Sequence, residues 1–183
     1  MEPKCKGNLI NQMKEYMTQV HGREKFDSLL KDIEYDHKEI DIDHILESSW
    51  VSEKFCMDLC ELAYRHFGAR FCQEMGSFMC EKGVNKFYKI FINALSPAKI
   101  MKTSPYVWKV YHDHGKLIPL DSGENKYIYK LVDLPYPTKG LCNIMKGYNT
   151  KFIELSGGKN VRTQEVACAV DGAQCCQFSI TWE

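Results

Sequence analysis

The chain has 183 residues and equal numbers of basic and acidic side chains, 24 of each. That length can bury a core without disulfides or metal, and the balanced charge excludes a general electrostatic attraction to nucleic acid. There is no apolar run long enough to span a bilayer and no apolar signal core at the N-terminus. The nine cysteines, with Cys5, Cys56, Cys60, Cys72 and Cys80 in helix-like patterns, suit buried thiols in a reducing cytoplasm.

Leu9, Ile10, Met13, Met17 and Val20 recur at three- and four-residue intervals, which predicts an amphipathic helix from Asn8 that stops at His21-Gly22. A shorter helix follows through Phe26, Leu29 and Leu30. Asp32 to Asp43 is acidic and weakly periodic. Ser52 then reads as the N-cap of a strong helix over Glu53 to Phe67, with Phe55, Cys56 or Met57, Leu59, Leu62, Ala63 and His66 on its buried stripe and Gly68 at its end. A further helix from Ala69 to about Glu81 presents Phe71, Cys72, Met75, Phe78 and Met79. Val84 to Ala94 is strongly apolar and aromatic, and Ser96-Pro97 opens another helix.

After His114-Gly115 the period changes. Lys116 to Leu120 and Lys126 to Asp133 alternate as strands about a turn at 121–125; Leu141 to Leu155 returns to helical spacing until Gly157-Gly158; Val161 onward supplies two last strands. The expected class is α/β in the α+β sense: a helical N-terminal half, helices packed on a small antiparallel sheet, and a C-terminal β-hairpin. Residues 1–50 read as a helical extension and 51–183 as the main domain.

The end of the chain carries four potential metal ligands, Cys142, Glu165, Cys168 and Cys176. Asp171-Gly172 favours a tight hairpin turn. A three-residue loop sets Cys168 opposite Cys176, whereas a two-residue loop sets it opposite Cys175, and both registers are open. Other clusters are weaker. His112 and His114 are two apart, which aligns side chains only on a strand, so with Asp113 they read as a polar helix terminus. Cys56 and Cys60, with His66 nearby, read as a core stripe. Haem ligation stays open through these histidines. There is no Cys-x-x-Cys-His attachment motif, Gly-rich phosphate cradle, Gly-x-Ser-x-Gly elbow or identifiable catalytic set.

Cys168, Asp171-Gly172 and Cys176-Gln177-Phe178 resemble the C-terminal pattern of the 4-vinyl reductase domain, the effector-sensing domain of some bacterial activators of aromatic degradation. Gly76, Lys86-Phe87-Tyr88, Leu95-Ser96-Pro97 and Trp108 through Gly115 are similar to its helical section. The resemblance implies that Cys142, Glu165, Cys168 and Cys176 hold a structural zinc. Three thiolates and a carboxylate suit a closed tetrahedral site, with ordinary buried cysteines as the alternative. Glu165 and Cys168 differ by three, so on a regular strand they face apart, and a β-bulge is needed if both bind.

The implied function is a sensor holding a small hydrophobic ligand among Phe78, Phe87, Tyr88, Phe91, Tyr106, Trp108 and Tyr111, signalling through a partner protein, as a homodimer. The alternatives are a haem- or porphyrin-binding protein, an accessory to vinyl-group reduction, or a tethering subunit.

Overall fold

The computed structural model describes residues 2–84 and 96–183. The N-terminal half is helical. Helix α1 (Gly7–His21) turns at Gly22, whose φ is 82°, into α2 (Arg23–Glu34), as the stop at His21-Gly22 predicts. Ile10, Met13, Met17, Phe26 and Leu29 bury the shared stripe. Two short strands, β1 (Lys4–Lys6) and β2 (Trp50–Ser52), pair antiparallel just before α3 (Glu53–Gly83). Cys5 is therefore a strand residue and not a helical one.

Ser52 caps α3 by accepting a hydrogen bond from the Phe55 N–H at 3.5 Å. The two helices expected on either side of Gly68 are present, joined end to end across a sharp kink at that residue and numbered together as α3. Gly68 has φ 79° and ψ −178°, a region that side chains with a Cβ avoid, and beyond it the buried stripe resumes at Phe71, Cys72 and Met75. Gly68→Ala is expected to destabilise the fold by about 1–3 kcal/mol, measured by urea titration. His66 leaves the stripe: it is partly exposed and bonds Asp32 at 3.1 Å.

Short helices α4 (Pro97–Met101) and α5 (Ser104–Tyr111) lead into β3 (Lys116–Ser122) and β4 (Lys126–Val132). Helix α6 (Lys139–Leu155) follows, then β5 (Arg162–Ala167) and β6 (Cys176–Thr181). The four strands form one antiparallel sheet in the order β3-β4-β6-β5. Alternation decides its inner face: Tyr127, Tyr129 and Leu131 of β4 and Cys176, Phe178 and Ile180 of β6 are buried. A core shared with Cys142 and Ile153 of α6 covers them.

Helix α6 also packs closely on α3. A Cβ at Gly140 or Gly147 would overlap the backbone of Cys60 or Gln73, so this crossing brings main chain against main chain. The molecule is thus α+β, with helices in its N-terminal half and the larger sheet in its C-terminal part. No helix among the described residues is long and apolar enough to cross a membrane.

Candidate functional site

An apolar cavity, about 1000 Å³ only when the open solvent of its mouth is included, lies between α1, α3, α5 and α6, with Met101 of α4 also on its wall. Its walls are thioether and aromatic: Met13, Met57, Met79, Met101 and Met145, with Trp108, Tyr111, Tyr148 and Phe152. Polar groups on the wall are partly committed elsewhere, which keeps the interior apolar. Ser104 Oγ shares a hydrogen bond with Tyr127 Oη at 2.9 Å, and Asn149 Nδ2 donates to Tyr129 Oη at 2.7 Å.

Of the aromatic residues expected here, Trp108 and Tyr111 line the cavity. Phe78 does not: it packs outside against Tyr16, ring centroids 5.2 Å apart. Tyr106 does not either, being 70 % exposed, because Ser104, Val107, Trp108 and Tyr111 share one face of α5 and Tyr106 stands on the other. Phe87, Tyr88 and Phe91 lie outside the described residues. The methionines carry no signal as a group in the sequence, where each is only one member of an amphipathic stripe and they are spread from Met13 to Met145.

His112 is the histidine of this wall, and it is held on several sides. It caps α5, its backbone N–H bonding Trp108 O at 2.9 Å, and its ring stacks on the Trp108 indole at 4.0 Å and 12°. His112 Nδ1 meets Glu53 Oε1 at 3.1 Å, and both residues are buried. Glu53 Oε2 is buried with no hydrogen-bond partner among the described residues. Asp113 and His114 bond each other nearer the surface instead, so the expected polar terminus divides into an inward and an outward part.

The second candidate lies between α6 and the inner face of the sheet. Thr138 caps α6, its Oγ1 accepting from the Leu141 N–H at 3.0 Å, and this start aims Cys142 at the ends of β5 and β6. Cys142 Sγ is 3.6 Å from Cys176 Sγ and 3.9 Å from Cys168 Sγ. Ligand atoms of Cys142, Glu165, Cys168 and Cys176 all lie within 4.8 Å of one another. The register between β5 and β6 slips between Glu165 and Ala167, the bulge that this pair of ligands requires.

Neither tight hairpin loop forms. Residues 168–175 wrap through a 3-10 turn at Ala169–Asp171, and the amides of Asp171 and Ala173 close on Cys168 O. This longer loop leaves Cys175 half-exposed and outside the cluster. Cys176 is pulled down to about 6 by the hydrogen bond from the Cys142 thiol, helped by the Ala169 N–H, and Cys142 is pushed up by serving as that donor and by burial. Burial and Glu165 raise the Cys168 thiol, which Lys139 Nζ approaches at 3.3 Å. Glu165 Oε1 is buried without a hydrogen-bond partner among the described residues.

No family model and no curated protein matches the chain. Solved structures do. An H-NOX protein from S. oneidensis in the Fe(II)NO ligation state superposes with a TM-score of 0.72 at 14% identity, over 97% of this chain and 99% of that one. The Fe(II) unliganded H-NOX protein from K. algicida gives 0.69 at 9% identity over 97% and 96%. A point mutant of T. tengcongensis H-NOX gives 0.69 at 11% identity over 97% of each chain. These matches overturn the resemblance to the 4-vinyl reductase domain. That likeness rested on short motifs, chiefly a cysteine ribbon after a helix, whereas superposition tests the path of nearly the whole chain. Over its described residues, the fold of this chain is that of the H-NOX proteins.

Proposed function

We propose that the chain is a sensor domain that holds a tetrapyrrole, haem in the first instance, in the cavity between α1, α3, α5 and α6. The carrying observation is an apolar cavity with an oriented imidazole in its wall, inside a fold whose solved examples contain ferrous iron, one of them with nitric oxide bound. Another neighbour, with a TM-score of 0.62 at 13% identity, is described by haem redox potential and porphyrin distortion.

The donor set suits a macrocycle and its metal. Thioethers and aromatic faces offer polarisable contact to a flat π-system, and His112 offers a nitrogen ligand. Of the six histidines, His112 is the one that lines the cavity. His21 stacks on Phe67, His37 bonds Asp58, His44 and His66 bond aspartates near the surface, and His114 bonds Asp113. Other potential ligands in the wall are weaker: thioethers, and the Cys60 thiol, which lies against Met13 Sδ at 3.6 Å.

The fit is poorer for the haem carboxylates. No Lys or Arg among the described residues lines the cavity, so the carboxylates would meet neutral Asn8 and Gln12 or water at the mouth. Bound iron supplies a coordination position for a small diatomic ligand. The protein's part is to exclude water from it and pass its state to a signalling partner protein. Incubating purified protein with haemin should give a sharp, saturable Soret band at one haem per chain, and His112→Gly should retain haem roughly 10-fold to 100-fold less well, with added imidazole restoring the spectrum. Free-haem spectra after desalting of the wild type would refute the assignment.

The sulfur cluster supports a second element of this reading, a structural metal of zinc type held by Cys142, Glu165, Cys168 and Cys176. For zinc–sulfur bonds near 2.3 Å a tetrahedron has sulfur–sulfur edges of about 3.8 Å. The separations of 3.6 and 3.9 Å bracket that edge. Four protein ligands leave no place for substrate, so the ion would tie α6 to β5 and β6 and take no part in ligand chemistry.

A further inference from the structure

We propose that Glu53 is the positioning residue of the haem site: its buried carboxylate holds the His112 imidazole from behind and strengthens the bond that the ring makes to iron. This deepens the tetrapyrrole reading and rests on it. Glu53 opens α3, directly after the cap Ser52, and reaches the end of α5 fifty-nine positions further along the chain. Strands β1 and β2 make that reach possible. Their pairing and the bond from the Glu53 N–H to Pro3 O at 2.9 Å fix the start of α3, while the bridge from Cys5 to His112 brings the end of α5 to the same place.

The surroundings of the imidazole are complete on one side only. Glu53 Oε1 accepts from Nδ1–H at 3.1 Å, which fixes the tautomer and leaves the Nε2 lone pair for a metal. The Trp108 indole lies flat on the ring, and the backbone bond to Trp108 O holds its Cα, so the ring cannot easily swing away. An acceptor with full negative charge at Nδ1 makes the imidazole a stronger electron donor than a carbonyl or water would.

An independent observation comes from the carboxylate itself. Glu53 is 1% exposed, its Oε2 has no hydrogen-bond partner among the described residues, and no Lys or Arg is paired with it there. A buried carboxylate with one oxygen unpartnered is costly even in the first turn of a helix, where the dipole favours negative charge. Iron held by His112 would supply positive charge that offsets Glu53.

The test uses the full chain reconstituted with haemin, then reduced and followed by the resonance Raman iron–histidine stretch and by the reduction potential. Wild type should show that stretch. Glu53→Gln keeps the shape and a hydrogen-bond acceptor but removes the charge, so it should retain haem and the histidine signature while the stretch falls in frequency and the potential rises. Burial alone would move neither. If Glu53→Gln does not fold, Glu53→Asp replaces it. Its carboxylate, withdrawn by one methylene, should shift both readouts in the same directions by less. Haem-loaded Glu53 variants with the wild-type frequency and potential overturn Glu53 as the positioning residue and leave the tetrapyrrole reading standing. Wild type that takes up no haem at all overturns both.

Discussion

Gly147→Ala is expected to destabilise the domain by at least about 3 kcal/mol, with a fall in Tm of roughly 6–12 °C. The new methyl would land on the carbonyl of Gln73, a backbone atom in the middle of α3, with no flexible side chain to yield. Relief requires α3 and α6 to separate, and both line the cavity on one side and reach the sulfur cluster or the kink on the other. Gly140→Ala meets the Cys60 carbonyl in the same way and should behave alike. Gly83→Ala is the control: its Cβ would enter open space near the end of α3, and higher helix propensity makes it neutral or slightly stabilising. Thermal unfolding of the three variants side by side checks the claim. Equal melting temperatures for Gly147→Ala and Gly83→Ala would show that the helices are not held as closely as described.

Loss of the proposed zinc should have the other large effect. Protein purified without chelator is expected to carry one zinc per chain by elemental analysis, and Cys142→Ser and Cys176→Ser to carry far less. Both variants should lose about 3–5 kcal/mol, since metal binding free energy is folding free energy and Glu165 Oε1 is otherwise a buried atom with no hydrogen bond among the described residues. Affinity should weaken as pH drops, because protons compete for the sulfurs; the Cys176 thiol, which ionises first, resists that competition longest. Cys175→Ser, outside the cluster, should change neither metal content nor stability. Chelated protein with an unaltered unfolding curve would count against the site.

The helices and strands are readable in the sequence because their signals are local. Met13 and Met17 mark the buried face of α1, Tyr127, Tyr129 and Leu131 that of β4, and Ile144 and Ile153 that of α6, at the periods each element demands. Strands β1 and β2 are not readable, since three residues carry no period and Cys5 fits a helical pattern equally well. Tyr106 stands outside the cavity because aromatic content does not say which face of a short helix turns inward. The sulfur ligands can be chosen by residue type and order, and the need for a bulge follows from the spacing of Glu165 and Cys168. The loop between Cys168 and Cys176 cannot be drawn, because a 3-10 turn around a cysteine carbonyl leaves no mark that a tight Asp-Gly turn would not also leave.

The amino-acid order by itself determined the longer helices and strands, the α+β class, and a candidate set of soft ligands near the C-terminus, because periodicity and residue type are local signals. Tertiary structure alone decided that Glu53 meets His112, that helices far apart in the chain enclose a thioether-lined cavity, and that the chain follows the H-NOX path. Those features join residues far apart in the chain, and they follow from which buried faces meet once the glycines of α6 let it close on α3.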